Sequence, residues 1–368
     1  MKKYVNPWHA LFLFWALALI FAGRLFGDDQ WPQQFAFCLG AGVFLAVFIS
    51  SLGQAILHRQ HFLFAWAAFA VTSGVVTMAL TPFTKIDPMN VAASTQGLAG
   101  LGVFKILVTF LFGAFAYSFL DTKKINKIIL IVGLLNSIFL LGDQYLWSSK
   151  QISLLGNRSI GACFAALFVI LAIKHRTFGY AAIGIVSVCL THSMIALAAL
   201  SVGLIGMVTR SIPIGLFVRK FTFPLLLLVP VGLVLAINNW HGDSQRFEFW
   251  NYFTKYYWDH APIMGKGLGS FKFWSPTITN GMESAHNTVW LWMHNDWLET
   301  LFELGPLGLL LMVLAYLQTL WDSRYQPENF GFVLALGVIM TFNYPMQLSI
   351  FVVTATFVFL EIYERPIR

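Results

Sequence analysis

Apolar runs broken by short polar turns recur along most of the chain. A helix needs about 20 mostly apolar residues to cross the hydrocarbon core of a bilayer. Runs near that length fall at about 9–27, 33–57, 62–82, 99–120, 125–142, 159–174 and 178–192. They continue at about 193–209, 221–238, 300–320, 329–345 and 347–362. The pattern predicts an all-α, polytopic transmembrane helical bundle of about 12 spans, a single integral membrane domain over 1–368. The two runs that meet at Thr191, His192 and Ser193 are joined by almost nothing. One connection, about 239–293, is long, polar and aromatic. Within it, Ser244 to Trp258 reads as an amphipathic, aromatic-rich helix. Trp and Tyr favour the membrane–water boundary because each has an apolar body and a polar tip.

Composition changes the solvent, not the elements. The chain is 58% hydrophobic and 11% charged, where soluble domains carry roughly a quarter charged residues. Its mean hydropathy is +0.72. So few charges cannot cover a water-facing surface, so membrane lipids are the expected partner. The net charge of +7 does not point to nucleic acid. The basic residues are scattered through short turns, with no stripe to track phosphates. Cys38, Cys163 and Cys189 lie in apolar runs and form no CxxC pair. Lys2 and Lys3 before an apolar run resemble a secretory signal, but no small-residue cleavage site follows and more spans come at once. The segment reads as an uncleaved first helix.

Basic residues in short loops set orientation. One set of turns carries Lys2, Lys3, Arg59, Lys123, Lys124, Lys127, Lys174, Arg176, Arg210, Arg219, Lys220, Arg324, Arg365 and Arg368. The alternate set carries Asp28 and Asp29, Lys85 with Asp87, Asp143 with Lys150, and His192. The first set is expected in the cytoplasm, with both termini, and the long loop 239–293 on the periplasmic side.

The residues with chemical potential gather on that outer side. Arg246 is a fixed guanidinium in the long loop, suited to bidentate contact with a phosphate group. Snorkelling, or pairing with Glu248 or Asp243, is the plainer reading. Gly265, Gly267 and Gly269 permit a tight turn and close backbone approach, and Lys266 between them suits an anion. The string opens no βαβ unit, so no dinucleotide site follows. His294 stands at the mouth of the tenth span, where an imidazole can take a proton or hold a hydroxyl. His286-Asn287 and His294-Asn295 form two His-Asn pairs. Glu299 and Glu303 lie one helical turn apart where the chain enters the membrane, a costly place for ionisable groups. His286, His294, Asp296 and Glu299 are metal-ligand types. The H-E-x-x-H spacing that aligns two His on one helical face is absent, and no metal site is assigned. Arg24 and Arg158 end spans on the outer side and could join Arg246 around one anion.

Several of these residues resemble a family pattern. His294-Asn295, nine residues, Gly305, two residues and Gly308 is similar to the signature of O-antigen ligases. Leu298 and Glu303 fall where the wider ligase and polymerase family has Leu and Glu. Gly265 to Phe271 resembles its glycine element, Gly156-Asn157 its Gly-Asn element, and Ser244, Arg246 and Trp250 its Arg…Trp stretch. The set appears in the family's order over roughly 155–310.

The resemblance implies a multi-pass enzyme of the bacterial inner membrane with a GT-C-like bundle and no cofactor. It implies a metal-independent, inverting glycosyltransferase using an undecaprenyl-pyrophosphate-linked glycan donor and a lipid A-core or glycan acceptor. Arg246 and a second arginine would hold the pyrophosphate, and His294 would position or deprotonate the acceptor hydroxyl. Arg158, Arg24, His286, Asn295, Lys266 and Glu303 are the expected substrate-binding residues. The family's Ser-Arg-Gly turn is Ser193-Met194-Ile195 here, so its arginine is missing. Arg158, Arg24 and His192 are the candidate substitutes. A ligase is the first reading, a polymerase of the same family the second, and a lipid-linked substrate transporter the alternative from another class.

Overall fold

The apolar runs that the structure describes are helical throughout. The computed structural model describes residues 61–80, 102–107, 109, 122–145, 155, 157–211, 244–260, 263, 265–279 and 292–364. The labelled helices are α1 (His61–Leu80), α2 (Thr122–Tyr145), α3 (Arg158–Lys174), α4 (Phe178–Leu190) and α5 (Met194–Ser211). They continue with α6 (Ser244–His260), α7 (Phe271–Thr279), α8 (Asp296–Asp322), α9 (Pro327–Phe342) and α10 (Ser349–Glu364). Among the described residues no strand occurs. Three segments, Lys124–Gly142, Met194–Ser211 and Asp296–Tyr325, are long and apolar enough to cross a membrane. Four shorter apolar helices accompany them, at Ala65–Val76, Phe178–Leu190, Pro327–Phe342 and Ile350–Phe359. The expected spans at 9–27, 33–57 and 221–238, most of the one at 99–120, and both termini lie outside the described residues.

Short connections force neighbouring helices to run antiparallel. Between α3 and α4 the chain reverses over three residues, with Arg176 at φ 58°. Between α4 and α5 it reverses at Thr191, His192 and Ser193, the near-absent joint that the sequence marks, with His192 at φ 53°. Consequently Lys124, Lys127, Lys174, Arg176, Arg210 and Arg324, which the charge pattern assigns to one side, share one end of the bundle. The start of α3 and the start of α8 lie at the opposite end.

The helices pack through small residues. A Cβ on Gly331 of α9 would stand 2.4 Å from Gly203 O on α5, so these two helices touch backbone to backbone there. Close approach of this kind is how helices associate where lipid removes the hydrophobic driving force. The core is centred on α3, buried along Ile160–Ala172. Outward faces remain apolar: Ile131, Leu135 and Ile138 form an exposed stripe on α2, and Leu307, Leu310 and Leu317 one on α8. An apolar stripe this long on the outer surface is what a lipid solvent permits and water does not.

A polar network ties the Lys174 end together. Lys174 of α3 forms an ion pair with Glu361 of α10 and donates to Asn329 Oδ1 of α9 at 2.7 Å. Asn126 of α2 donates to the same Glu361, and Asn329 to Gln326. Four helices are fixed to one another at that end.

The expected amphipathic helix of the long loop is present as α6, with Phe249, Phe253 and Tyr257 on its buried face. These rings pack with Phe271, Met293 and Phe302 into a small core above the bundle. The second loop helix, α7, has no counterpart in the sequence reading.

Candidate active site

The site is built where α8 begins. Asn295 caps α8, its Oδ1 accepting from Leu298 N at 3.0 Å. An Asn with extended backbone (φ −161°) is a favoured cap because it satisfies an amide that the helix leaves open. The expected substrate contact Asn295 is therefore engaged in shaping the entrance and is buried. His294 precedes it with φ at 53°, in the left-handed region that a non-glycine residue enters at a cost. Its neighbours hold it there. Met293 N donates to Glu299 Oε2 at 3.2 Å, and Met293 O accepts from Trp250 Nε1 at 2.9 Å. Strain imposed by surrounding hydrogen bonds is a recurrent mark of functional positions.

Three buried carboxylates stand along the first turns of α8, and each receives a backbone amide from a different segment. Asp296 Oδ2 accepts from Met346 N at 3.0 Å, and Glu299 accepts from Met293 N. Glu303 Oε1 accepts from Phe271 N at 3.2 Å. Glu303, expected at the substrate, thus fastens the start of α7. Asp296 and Glu299, in the first turn, also meet the positive end of the helix. They organise the loops that surround His294.

The glycine element docks on a break in α8. Gly305 adopts φ 71°, ψ −175°, and Pro306 follows, so the helix is interrupted. The break exposes the carbonyls of Phe302 and Glu303, which accept from Lys266 N at 2.8 Å and Gly267 N at 2.9 Å. No side chain fits between the two segments of this contact. A Cβ on Gly305 would lie 2.1 Å from Ile263 O, and one on Gly265 would lie 2.5 Å from Glu303 O. Lys266 is placed with Nζ 4.8 Å over the Trp274 ring.

Arg246 and His294 converge on one stretch of chain, the end of α9. Arg246 Nη1 donates to Phe342 O at 3.0 Å. The His294 ring stands edge-on to Tyr344 with centroids 4.9 Å apart, and a side-chain hydrogen bond joins it to Asn343. Tyr344 in turn stacks on Trp292 at 5.3 Å, and Lys272 Nζ covers the other ring of that pair at 3.6 Å from the Trp292 centroid. Burial, and secondarily the Arg246 charge, lower the His294 pKa from its ordinary value to about 3, against the opposing Asn343 hydrogen bond. The imidazole is neutral at physiological pH.

Arg158 sits at the start of α3, with Nη2 donating to Leu190 O at 3.0 Å beside the α4–α5 turn. Ser159 and Ser193 pair across the same joint at 3.2 Å. A cation therefore stands at the turn where the family's arginine is absent from the sequence. Arg24 and His286 lie outside the described residues. Among the described residues no three His, Cys, Asp or Glu side chains gather as a metal site. Sequence reasoning missed Phe342, Asn343 and Tyr344. The available signal was a polar Asn ending an apolar run just before Pro345.

No curated protein matches the chain. A family model described as O-Antigen ligase matches residues 145–313, a segment that contains Arg158, Arg246, His294, Gly305 and Gly308. Over that segment the chain is similar to the O-antigen ligase family.

Proposed function

We propose that this protein is an O-antigen ligase-like glycosyltransferase of the bacterial inner membrane. It moves a glycan from undecaprenyl pyrophosphate to a lipid A-core or related acceptor at the periplasmic face. The family-model match over residues 145–313 supports a ligase- or polymerase-type membrane glycosyltransferase. The observation that carries the assignment of roles is the convergence of Arg246 and His294 on Phe342–Tyr344.

In this reading the acceptor hydroxyl attacks the anomeric carbon from the face opposite the pyrophosphate. The C1–O bond to phosphate breaks as the new glycosidic bond forms, and the anomeric centre inverts. Negative charge grows on the departing lipid pyrophosphate. Arg246, with Arg158 as the second cation, is preset to receive it, and such preset charge is commonly the largest catalytic term. His294 accepts a hydrogen bond from the acceptor hydroxyl and aims it. An imidazole whose conjugate acid has a pKa near 3 is a weak base, and proton transfer works best with a pKa near the operating pH. Positioning is thus favoured over deprotonation in the unliganded site, and the hydroxyl proton is released to water as the glycosidic bond completes. Lys266, His286, Asn295, Glu303 and Arg24 remain proposed as supports of the substrate region.

The test is transfer from purified undecaprenyl-pyrophosphate-linked glycan, with His294→Ala and Arg246→Ala as controls. Loss of transfer in both variants is expected, and wild-type transfer by His294→Ala would defeat the reading. Deletion in the cell separates the two acceptors. Uncapped lipid A-core is expected for a ligase, and chains of a single repeat would mean a polymerase.

A further inference from the structure

The end of α9 is shaped to present one side chain to His294. Pro345 disfavours helical backbone at Tyr344, so α9 cannot run through it; the helix stops at Phe342, and Asn343 is extended (φ −149°, ψ −167°). Asn343 is buried, a costly place for an amide unless its groups are partnered. All of its side chain is engaged. Oδ1 accepts from Tyr344 N at 3.1 Å, Nδ2 points to Cys163 Sγ of α3 at 3.9 Å, and a further hydrogen bond reaches the His294 ring. The contact to α3 and the contact to the Tyr344 amide leave the side chain little freedom to turn. Tyr344 closes the other side of the imidazole with its ring at 75°.

We propose that Asn343 is the positioning residue for His294. Its amide fixes the plane of the imidazole and which ring nitrogen faces the acceptor hydroxyl. The inference rests on the proposed function, because it gives His294 the acceptor to aim. A histidine whose second nitrogen is held by a fixed partner presents the first in a defined protonation form. Asn343 touches no substrate. Its effect passes through the ring, and the adjoining Phe342 carbonyl, which anchors Arg246, makes the same short stretch the common reference for both groups. The charged and titratable groups on the elements around the ring are Arg246 on α6, whose charge acts on it, Tyr344, whose ring meets it, Cys163 on α3, Lys272 on α7, and Asp296 and Glu299 on α8.

The experiment compares Asn343→Leu and Asn343→Asp with the wild type in transfer from undecaprenyl-pyrophosphate-linked glycan. It is run over pH 5 to 9, with thermal unfolding in detergent as the control for folding. Asn343→Leu is expected to lower kcat at least 10-fold while the donor KM changes less than threefold. Asn343→Asp places a carboxylate against the imidazole and favours its charged form, so an acid limb absent from the wild type should enter the profile above pH 5. Asn343→Asp is nearly isosteric and carries the test if Asn343→Leu fails to fold. Turnover within twofold of wild type in folded Asn343→Leu, or an unmoved profile in Asn343→Asp, overturns the inference. His294→Ala separates the two levels. Its inactivity beside a wild-type-like Asn343→Leu sinks only the positioning role, whereas its full activity sinks the proposed function as well.

Discussion

Arg246 and His294 rest on neighbouring residues of one three-residue stretch, Phe342 to Tyr344. Arg246 Nη1 donates to Phe342 O at 3.0 Å, and the His294 ring meets Tyr344 at a centroid distance of 4.9 Å. One comes from the aromatic helix of the long loop and the other from the entrance to α8. A cation and a neutral imidazole are thereby referred to one stretch of chain, and Trp250 of the Arg246 helix also holds the residue before His294.

Arg246 is the group expected to meet growing negative charge. Arg246→Ala should lower kcat by about 100- to 1000-fold, the range found when one preset donor is removed from a charge-stabilising site. Arg246→Lys keeps the charge but loses the planar fork that can serve the Phe342 carbonyl and an anion together. It should recover little of the loss. Steady-state transfer kinetics read both variants, and full activity in Arg246→Lys would show that a point charge suffices.

The pH dependence follows from the direction of the His294 shift. Its folded pKa is lowered to about 3, so the neutral form prevails until the medium is far more acidic than an ordinary histidine requires. With respect to this group, kcat/KM of the free enzyme should be flat from pH 8 down to about 5. Arg246→Ala removes a positive charge that disfavours the protonated ring, so any acid limb should move to higher pH. A wild-type limb centred near pH 6.5 and abolished in His294→Ala would contradict the placement of the ring.

Gly305 is a structural prediction with a built-in control. Its backbone at φ 71°, ψ −175° belongs to a region that is essentially glycine's, and a Cβ there would overlap Ile263 O. Gly305→Ala should cost at least ~1–3 kcal/mol, release the glycine element from α8 and abolish transfer. Gly179→Ala on α4 meets nothing within 4 Å and should leave both stability and transfer intact. Thermal unfolding and transfer assays on the pair give the comparison.

The Lys174–Glu361 pair predicts a stability pattern at the far end of the bundle. Both side chains are largely buried. Removing one partner strands a charge and costs roughly 3–5 kcal/mol, whereas replacing both by apolar residues is often neutral. Lys174→Met alone should therefore lower the unfolding temperature, and Lys174→Met with Glu361→Leu should restore much of it. A double variant no better than the single would mean that the pair's hydrogen bonds to Asn126 and Asn329, not charge, dominate.

What the sequence made legible is what local pattern controls. Apolar runs mark the helices because lipid tolerates no unsatisfied backbone and demands length. The aromatic helix at Ser244–His260 and the reversal at Thr191–Ser193 were readable for the same reason. The apolar run puts the start of α8 near residue 300, but the cap at Asn295 brings helix to Asp296, with three carboxylates inside its first turns. Glu299 and Glu303 could be flagged as costly but not assigned, because their partners are backbone amides of Met293 and Phe271. The meaning of Gly265 and Gly305 was likewise hidden. Each glycine is needed because the other's backbone lies against it, and that contact exists only after folding. Asn343 carries no local signal for a partner fixed by the packing of α9 against α3.

A double-mutant cycle on transfer from purified undecaprenyl-pyrophosphate-linked glycan addresses the central claim most directly, because residues that act on one substrate as a unit are non-additive. Arg246→Ala and His294→Ala should each lower kcat/KM by about 100-fold or more, and the double variant should be scarcely worse than the poorer single. Losses that simply multiply, or a His294→Ala enzyme working at the wild-type rate, would show that the two residues do not serve one reacting centre.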